Sequence, residues 1–383
     1  MFGYCGIIFW FLVALSLAKS KLNDEKSKNL CIKSSSTSCQ CIGEKKYMNK
    51  VMYEYNCSNG NDSENIGMIH MEYFKKEFVL RCENLLTFET FPDLSDYINT
   101  TSVQLEKCPV NRSLYDYTSK ITKNIKNIDL VLSNEKNFNT NYFEGLSELE
   151  FLELNNPFLI NFQFPLENVF EKLVVLKKLF IKSFPTPNGI FDALEQLQIL
   201  EIRNSKLEKS SIMFGLFKNQ RNLNNLLING YSYTSIESNV FDNLTELQTL
   251  QLTSDFTNLP KDLLKHNHKL DTFKLKNYLE QIETLPGKLF SNKWNLKNIE
   301  LSGNKIKYLP EDLFMNSTNI TTIDISYNEL SSLKKNIFTD QINLTLLDLR
   351  NNNFQKLTDG LFDSLSSLKV LFLSHNTLSS LSK

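Results

Sequence analysis

Six cysteines, Cys31, Cys39, Cys41, Cys57, Cys82 and Cys108, all fall before residue 109, and no cysteine follows them. Thiols crowded in this way either ligate zinc or form disulfides. Zinc asks for close CxxC-like pairs, whereas the intervals here are x7, x1, x15, x24 and x25. An even number in an oxidising compartment reads as three disulfides with fifteen connectivities left open. Cys39 and Cys41 are poor partners for each other because so small a ring is strained. A second chemistry is carried by asparagine amides. N-x-[ST] sequons begin at Asn56, Asn61, Asn99, Asn111, Asn243, Asn316, Asn319 and Asn343, each an acceptor for an N-linked glycan. His266 and His268 in KHNHKL would need further converging ligands to hold a metal, and the sequence names none. They read as solvated loop residues. No GxSxG, P-loop, HExxH or GxGxxG motif is present. The chain therefore does not read as an enzyme, and no cofactor is implied.

The compartment these chemistries need is announced at the start. MFGYCGIIFWFLVALSLAKS contains an apolar run from Gly6 to Ala18, shorter than the roughly 20 residues of a membrane-spanning helix. With small residues at Ser16 and Ala18 it reads as a secretory leader over 1–18, although no Lys or Arg precedes it. Cys5 lies inside it. Lys and Arg elsewhere are scattered and balanced by Asp and Glu to a net charge of −1, which gives no nucleic-acid footprint. At 383 residues, the chain exceeds the usual single core of about 250–300 residues, so it must be several domains or a repeat array.

The array is legible. LKNIELSGNKIKYLPEDLF starts at Leu296, ITTIDISYNELSSLKKNIF at Ile320, LTLLDLRNNNFQKLTDGLF at Leu344 and LKVLFLSHNTLSSL at Leu368, all 24 residues apart. Less regular copies start at Ile125, Leu149, Leu176, Leu197, Leu223, Leu247 and Leu270, making eleven, and VQLEKC at 103–108 reads as a partial one. This is the leucine-rich repeat pattern LxxLxLxxNxLxxLxxxLF. The two leucines of L-x-L point the same way from an extended chain, and each strand pairs in parallel with its neighbour. The expected fold is α/β, a curved leucine-rich-repeat solenoid with a parallel concave sheet and a disulfide-rich N-terminal cap. The domains expected are a leader over 1–18, a cysteine-rich cap over 19–120 and repeats over 121–383, with the last repeat cut at Lys383.

Asn304, Asn328, Asn352 and Asn376 are expected to stack as a ladder that satisfies the backbone where the chain turns. Ser133, Pro157, Phe184, Ser205, Tyr231, Asp255 and Tyr278 stand at that position upstream, so the ladder reads as interrupted over the first seven repeats. Phe158, Phe162 and Phe164, in the longest repeat, read as core. The solvent-facing positions of the strands line one broad surface suited to a protein ligand. Its early candidates are Glu153, Phe180, Lys182, Glu201 and Arg203, followed by Gln251, Thr253, Lys274 and Lys276.

The cysteine block LC-x7-CQC-x15-C-x24-C, then VQLEKC and repeats carrying LPxxLF, resembles the start of the ectodomain of arthropod Toll receptors. The resemblance covers leader, cap and all eleven repeats. It implies a type I membrane receptor that binds a cleaved, dimeric cystine-knot cytokine of the Spätzle type through the cap and early concave face. It also implies pairing with a second receptor copy for signalling in immunity and embryonic patterning. No C-terminal cysteine cluster, membrane helix or intracellular domain lies within these residues. The expectation is therefore a receptor fragment, membrane-attached only through a segment not in this chain. The alternative is a secreted leucine-rich-repeat binding protein, whether decoy, pathogen-binding or adhesion factor.

Overall fold

A computed structural model describes residues 39–47, 50–58, 65–74, 77–83, 100–108, 124–132, 141–157, 168–204, 210–213, 215–230, 233–278 and 282–379. The leader, Cys31 and Phe158, Phe162 and Phe164 lie outside the described residues. Eleven parallel strands answer the eleven repeat starts, each beginning two residues after one. They are β6 (Asn127–Leu132), β7 (Phe151–Asn155), β8 (Lys178–Lys182), β9 (Ile199–Asn204), β11 (Asn225–Gly230), β13 (Thr249–Ser254), β14 (Thr272–Asn277), β15 (Asn298–Glu300), β16 (Thr322–Asp324), β17 (Leu346–Asp348) and β18 (Val370–Phe372). VQLEKC forms β5 (Ser102–Cys108), parallel to β6. Before it, β1 (Cys39–Tyr47), β2 (Lys50–Ser58), β3 (Asn65–Phe74) and β4 (Glu77–Glu83) form an antiparallel meander, and β4 pairs in parallel with β5. The result is one sixteen-stranded sheet. A short parallel pair, β10 (Ser210–Ile212) and β12 (Tyr233–Ile236), forms a second sheet.

Alternation does the sorting. In β6 and β11 every second side chain is buried, which puts Ile128, Leu130, Leu226 and Ile228 inside and leaves their neighbours facing out. The return limb closes the core from behind with a phenylalanine at one position of the turn, replaced by Leu264 in the turn that starts at Leu247. Phe290, Phe314 and Phe338 stack with ring centroids 5.9 and 6.1 Å apart, and Phe191, Phe217 and Phe241 do the same at 6.2 and 6.0 Å. The helical part of the expected α/β class is not seen: among the described residues the return limb is made of turns, with no α-helix. A 24-residue repeat leaves too few residues outside the strand for a helix of several turns.

The asparagine column has the geometry its chemistry requires. Asn328 Nδ2 donates to Leu301 O at 2.9 Å and Ile325 O at 3.0 Å, while its Oδ1 accepts from Asn304 N at 3.2 Å and Ile306 N at 3.0 Å. Asn304, Asn352 and Asn376 donate in the same way. The residue before each is left-handed: Gly303, Tyr327, Asn351 and His375 have φ of 78°, 53°, 52° and 58°. Replacing Asn328 by Ala strands two buried amides, those of Asn304 and Ile306, while the Leu301 and Ile325 carbonyls keep the amides of Asn304 and Asn352. It should lower unfolding free energy by about 2–3 kcal/mol, read from the urea midpoint.

The interruption expected upstream is corrected in part. Asn277 and Ser254 carry the ladder on, one residue earlier than the position read from the sequence. Asn277 N donates to Asn304 Oδ1 at 2.8 Å and its Nδ2 to Phe256 O at 2.8 Å. Ser254 Oγ donates to Gly230 O and accepts from Tyr233 N at 3.1 Å. The longer six-residue strands of this half move the bend relative to the last leucine, so the polar group that serves it moves too.

A second polar column runs along the return limb. Leu146, Leu173, Leu194, Leu244 and Leu365 occupy one core position, and Gln220, Asn267, Lys293, Ser317 and Gln341 replace leucine there in other turns. Each replacement is buried and donates to the carbonyl of the phenylalanine-position residue one turn back: Gln220 to Phe191, Asn267 to Phe241, Lys293 to Leu264, Ser317 to Phe290 and Gln341 to Phe314. Lys293 is the costly member. It is 3% exposed, its ammonium donates to Leu264 O at 2.5 Å, and burial pushes its pKa down to about 8. Below pH 8 the folded state carries the full cost of a buried cation. Between about 8 and the ordinary 10.5 the unfolded chain holds the extra proton, so stability rises with pH by up to about 3 kcal/mol. Lys293→Gln, which copies its neighbours, should unfold at higher urea at pH 7.5 and lose this part of the alkaline gain.

Candidate functional site

Strands β5 to β9 present three rows of outward side chains in register. One row runs Gln104, Asp129, Glu153, Phe180, Glu201, and the row beside it runs Glu106, Val131, Asn155, Lys182, Arg203. The third includes Phe151, Lys178 and Ile199. Neighbouring strands lie about 4.8 Å apart, so Glu106, Asp129 and Glu153 form a block of carboxylates on three adjacent strands. Arg81 Nε donates to Glu106 at 2.8 Å, and Gln104 Nε2 donates to the same carboxylate at 3.0 Å. Partial burial, then the charges of Glu153 and Glu106, hold Asp129 above the usual carboxylate range. The desolvated acid favours a cationic partner.

Beside the acids, Phe151 and Phe180 meet edge to face at 5.2 Å between centroids. Both remain half-exposed, although a full core lies one residue away on either side. Beyond the aromatic pair come Lys178, Lys182 and Arg203, all exposed, with Arg203 paired to Glu201. The surface thus passes from acid through aromatic to base within five strands. Of the residues expected from sequence, Glu153, Phe180, Lys182, Glu201 and Arg203 all stand on this face. Asp129, Phe151 and Lys178 were missed, because outward positions obey no motif; their alternation with buried residues was the available signal. Farther along, Lys274 pairs with Glu300 at 2.7 Å, Lys276 is exposed, Gln251 is half-buried and Thr253 is buried.

Cys82 and Cys108 form a disulfide between the ends of β4 and β5. Cys39 lies opposite Cys57 in the β1–β2 register, and the side chains of Cys39, Cys41 and Cys57 lie outside the described residues. Of the sequons, Asn61, Asn99, Asn111 and the Asn56 side chain lie outside as well. The other four sit on the return limb. The amides of Asn243, Asn319 and Asn343 donate one turn back to the carbonyls of Lys218 at 3.0 Å, Trp294 at 2.6 Å and Thr318 at 3.0 Å, and Asn316 donates to Asn292 Oδ1 at 3.1 Å. His266 and His268 are exposed, with His266 Nε2 4.0 Å from Asp242. Among the described residues, no three His, Cys, Asp or Glu side chains converge on one point, and no helix is long and apolar enough to cross a membrane.

Residues 185–285 and 283–383 match the family described as "BspA type Leucine rich repeat region", in six copies. No curated protein matches the chain. Among solved structures, the Drosophila Toll–Spatzle complex is 24% identical with a TM-score of 0.63, covering 88% of this chain and 47% of that one. The glycosylated form of that complex is 21% identical with a TM-score of 0.58, covering 94% and 54%. The complex of TLR13 with ssRNA13 is 23% identical with a TM-score of 0.59, covering 76% and 48%. The chain therefore spans about half the length of the solved chains it matches, and at these identities the likeness is one of fold.

Proposed function

The chain belongs to the BspA-type leucine-rich repeat family, and from that premise we propose that it is the ligand-binding ectodomain portion of a Toll-type receptor. Its ligand is a dimeric cystine-knot cytokine of the Spätzle type, held by the cap and the early concave face. The observation that carries this reading is the acid–aromatic–base surface on β5 to β9. A half-buried acid cluster beside two half-exposed phenyl rings is the composition of a protein-binding patch, with aromatic anchors and flanking charge. Further support comes from the fold likeness, which extends over 88% of the chain to a structure described as a Toll–Spatzle complex. The carboxylates oppose the nucleic-acid ligand described for the TLR13 neighbour, since a polyanion would meet Glu106, Asp129 and Glu153. Residues 19–120 serve as the disulfide-stapled cap, residues 121–383 as the binding scaffold, and the chain works on the outside of the cell, where a second receptor copy pairs with it.

The test is direct binding of the secreted chain to an activated Spätzle-type dimer by surface plasmon resonance. The expected dissociation constant is about micromolar or tighter. Glu153→Arg and Phe180→Ala should each weaken it roughly ten-fold or more. No binding at tens of micromolar (~10 times the expected constant) overturns the cytokine assignment. Binding indifferent to both substitutions overturns the placement of the site.

A further inference from the structure

We infer that the glycan on Asn319 is an ordered part of the structure, its first sugar packed on the indole of Trp294. The inference rests on the extracellular reading above. Trp294 is 54% exposed on the return limb. An indole left in water offers a flat apolar face to whatever chain or ring is tethered beside it. The amide nitrogen that would carry the sugar lies against the same residue, because Asn319 Nδ2 donates to Trp294 O at 2.6 Å. The apolar C–H face of a pyranose ring is a suitable cover for an indole, and a sugar attached at this nitrogen starts from the backbone carbonyl of the residue that bears it.

The chemistry leaves this geometry intact. A preassembled oligosaccharide is transferred from a lipid diphosphate donor. The C1–O bond to the diphosphate breaks, C1 bonds to Nδ2, one amide proton is lost, and the lipid diphosphate leaves. The nitrogen keeps one N–H, enough for the bond to the Trp294 carbonyl. The neighbouring turn supplies a control. Asn343 Nδ2 makes the equivalent bond to Thr318 O, where threonine occupies the position of Trp294, so a glycan on Asn343 has no aromatic platform.

Tryptophan fluorescence reads the site without a label. The sequence holds two tryptophans, Trp10 in the leader and Trp294, so the mature chain reports on Trp294 alone. Secreted protein is mapped by mass spectrometry. The folded wild type is then trimmed either by an endoglycosidase that leaves the first sugar or by an amidase that removes it. The expected result is occupancy of Asn319, little change on trimming to one sugar, and on full removal a red shift with about a two-fold rise in acrylamide quenching. Asn319→Gln should reproduce the full-removal spectrum, and Asn343→Gln should match wild type. Glycans on Asn243 or Asn343 with Asn319 bare would overturn the inference and leave the extracellular reading standing. So would an occupied Asn319 whose removal leaves the spectrum unchanged. A secreted chain with no glycan at any sequon would overturn both.

Discussion

Leu301→Asp is expected to abolish secretion of the folded chain. Leu301 is fully buried, and its carbonyl receives the amides of Asn304 at 2.7 Å and Asn328 at 2.9 Å. A carboxylate there loses its hydration inside the hydrophobic cluster to which Leu301 belongs. The cost is at least about 4–5 kcal/mol, a large part of a typical domain's total stability. Because each turn is stable only against its neighbours, damage in the middle of the array removes support on both sides. Leu301→Ile, which keeps the volume and the apolar character, should be secreted and melt within a few degrees of wild type (~1 kcal/mol). Normal secretion of the aspartate variant would mean that the assigned core face is wrong.

Removing the Cys82–Cys108 disulfide by replacing both residues with serine should cost about 3–4 kcal/mol for a loop of this length. The sequence separation is 26. The link joins β4 to β5, where the sheet changes from antiparallel to parallel pairing, and both residues belong to the buried core. The measurement is the urea midpoint of the double variant against wild type under non-reducing conditions. An unchanged midpoint would show that the β4–β5 junction holds without the covalent link. A loss that reductant reproduces in wild type would assign the effect to the bond.

The repeat starts were legible because burial obeys a rule that leaves a trace. Ten of them, from Ile125 to Leu344, are fully buried, and leucine recurs wherever a turn meets the core. Polar columns obey a weaker rule. Gln220, Asn267, Lys293, Ser317 and Gln341 differ in type and share only a place where leucine stands in other turns, so the trace is an exception to a pattern. The shift of Asn277 and Ser254 by one residue escaped notice for a related reason: strand length sets where the bend falls, and the spacing of leucines does not report strand length. At the candidate site the difficulty is deeper. Glu153 and Phe180 could be placed on the outward face by alternation. That Phe151 meets Phe180, or that Asp129 sits beside two other acids, depends on registers between turns whose intervals vary from 21 to 27 residues.

The even spacing of the last four turns bears on how such a chain changes over generations. Their strands, asparagines and phenylalanines repeat every 24 residues, and each ladder asparagine offers the next turn the same donors and acceptor, although the return-limb position varies as Ser317, Gln341 and Leu365. An unequal recombination that gains or drops one of these units would keep the strand register, the asparagine ladder and the phenylalanine stack in step. The earlier turns have unequal lengths and individually fitted polar groups, so the same event there would join partners that do not fit. Length can drift at one end of the array, while the end bearing the acid–aromatic–base surface can change only by substitution, residue by residue.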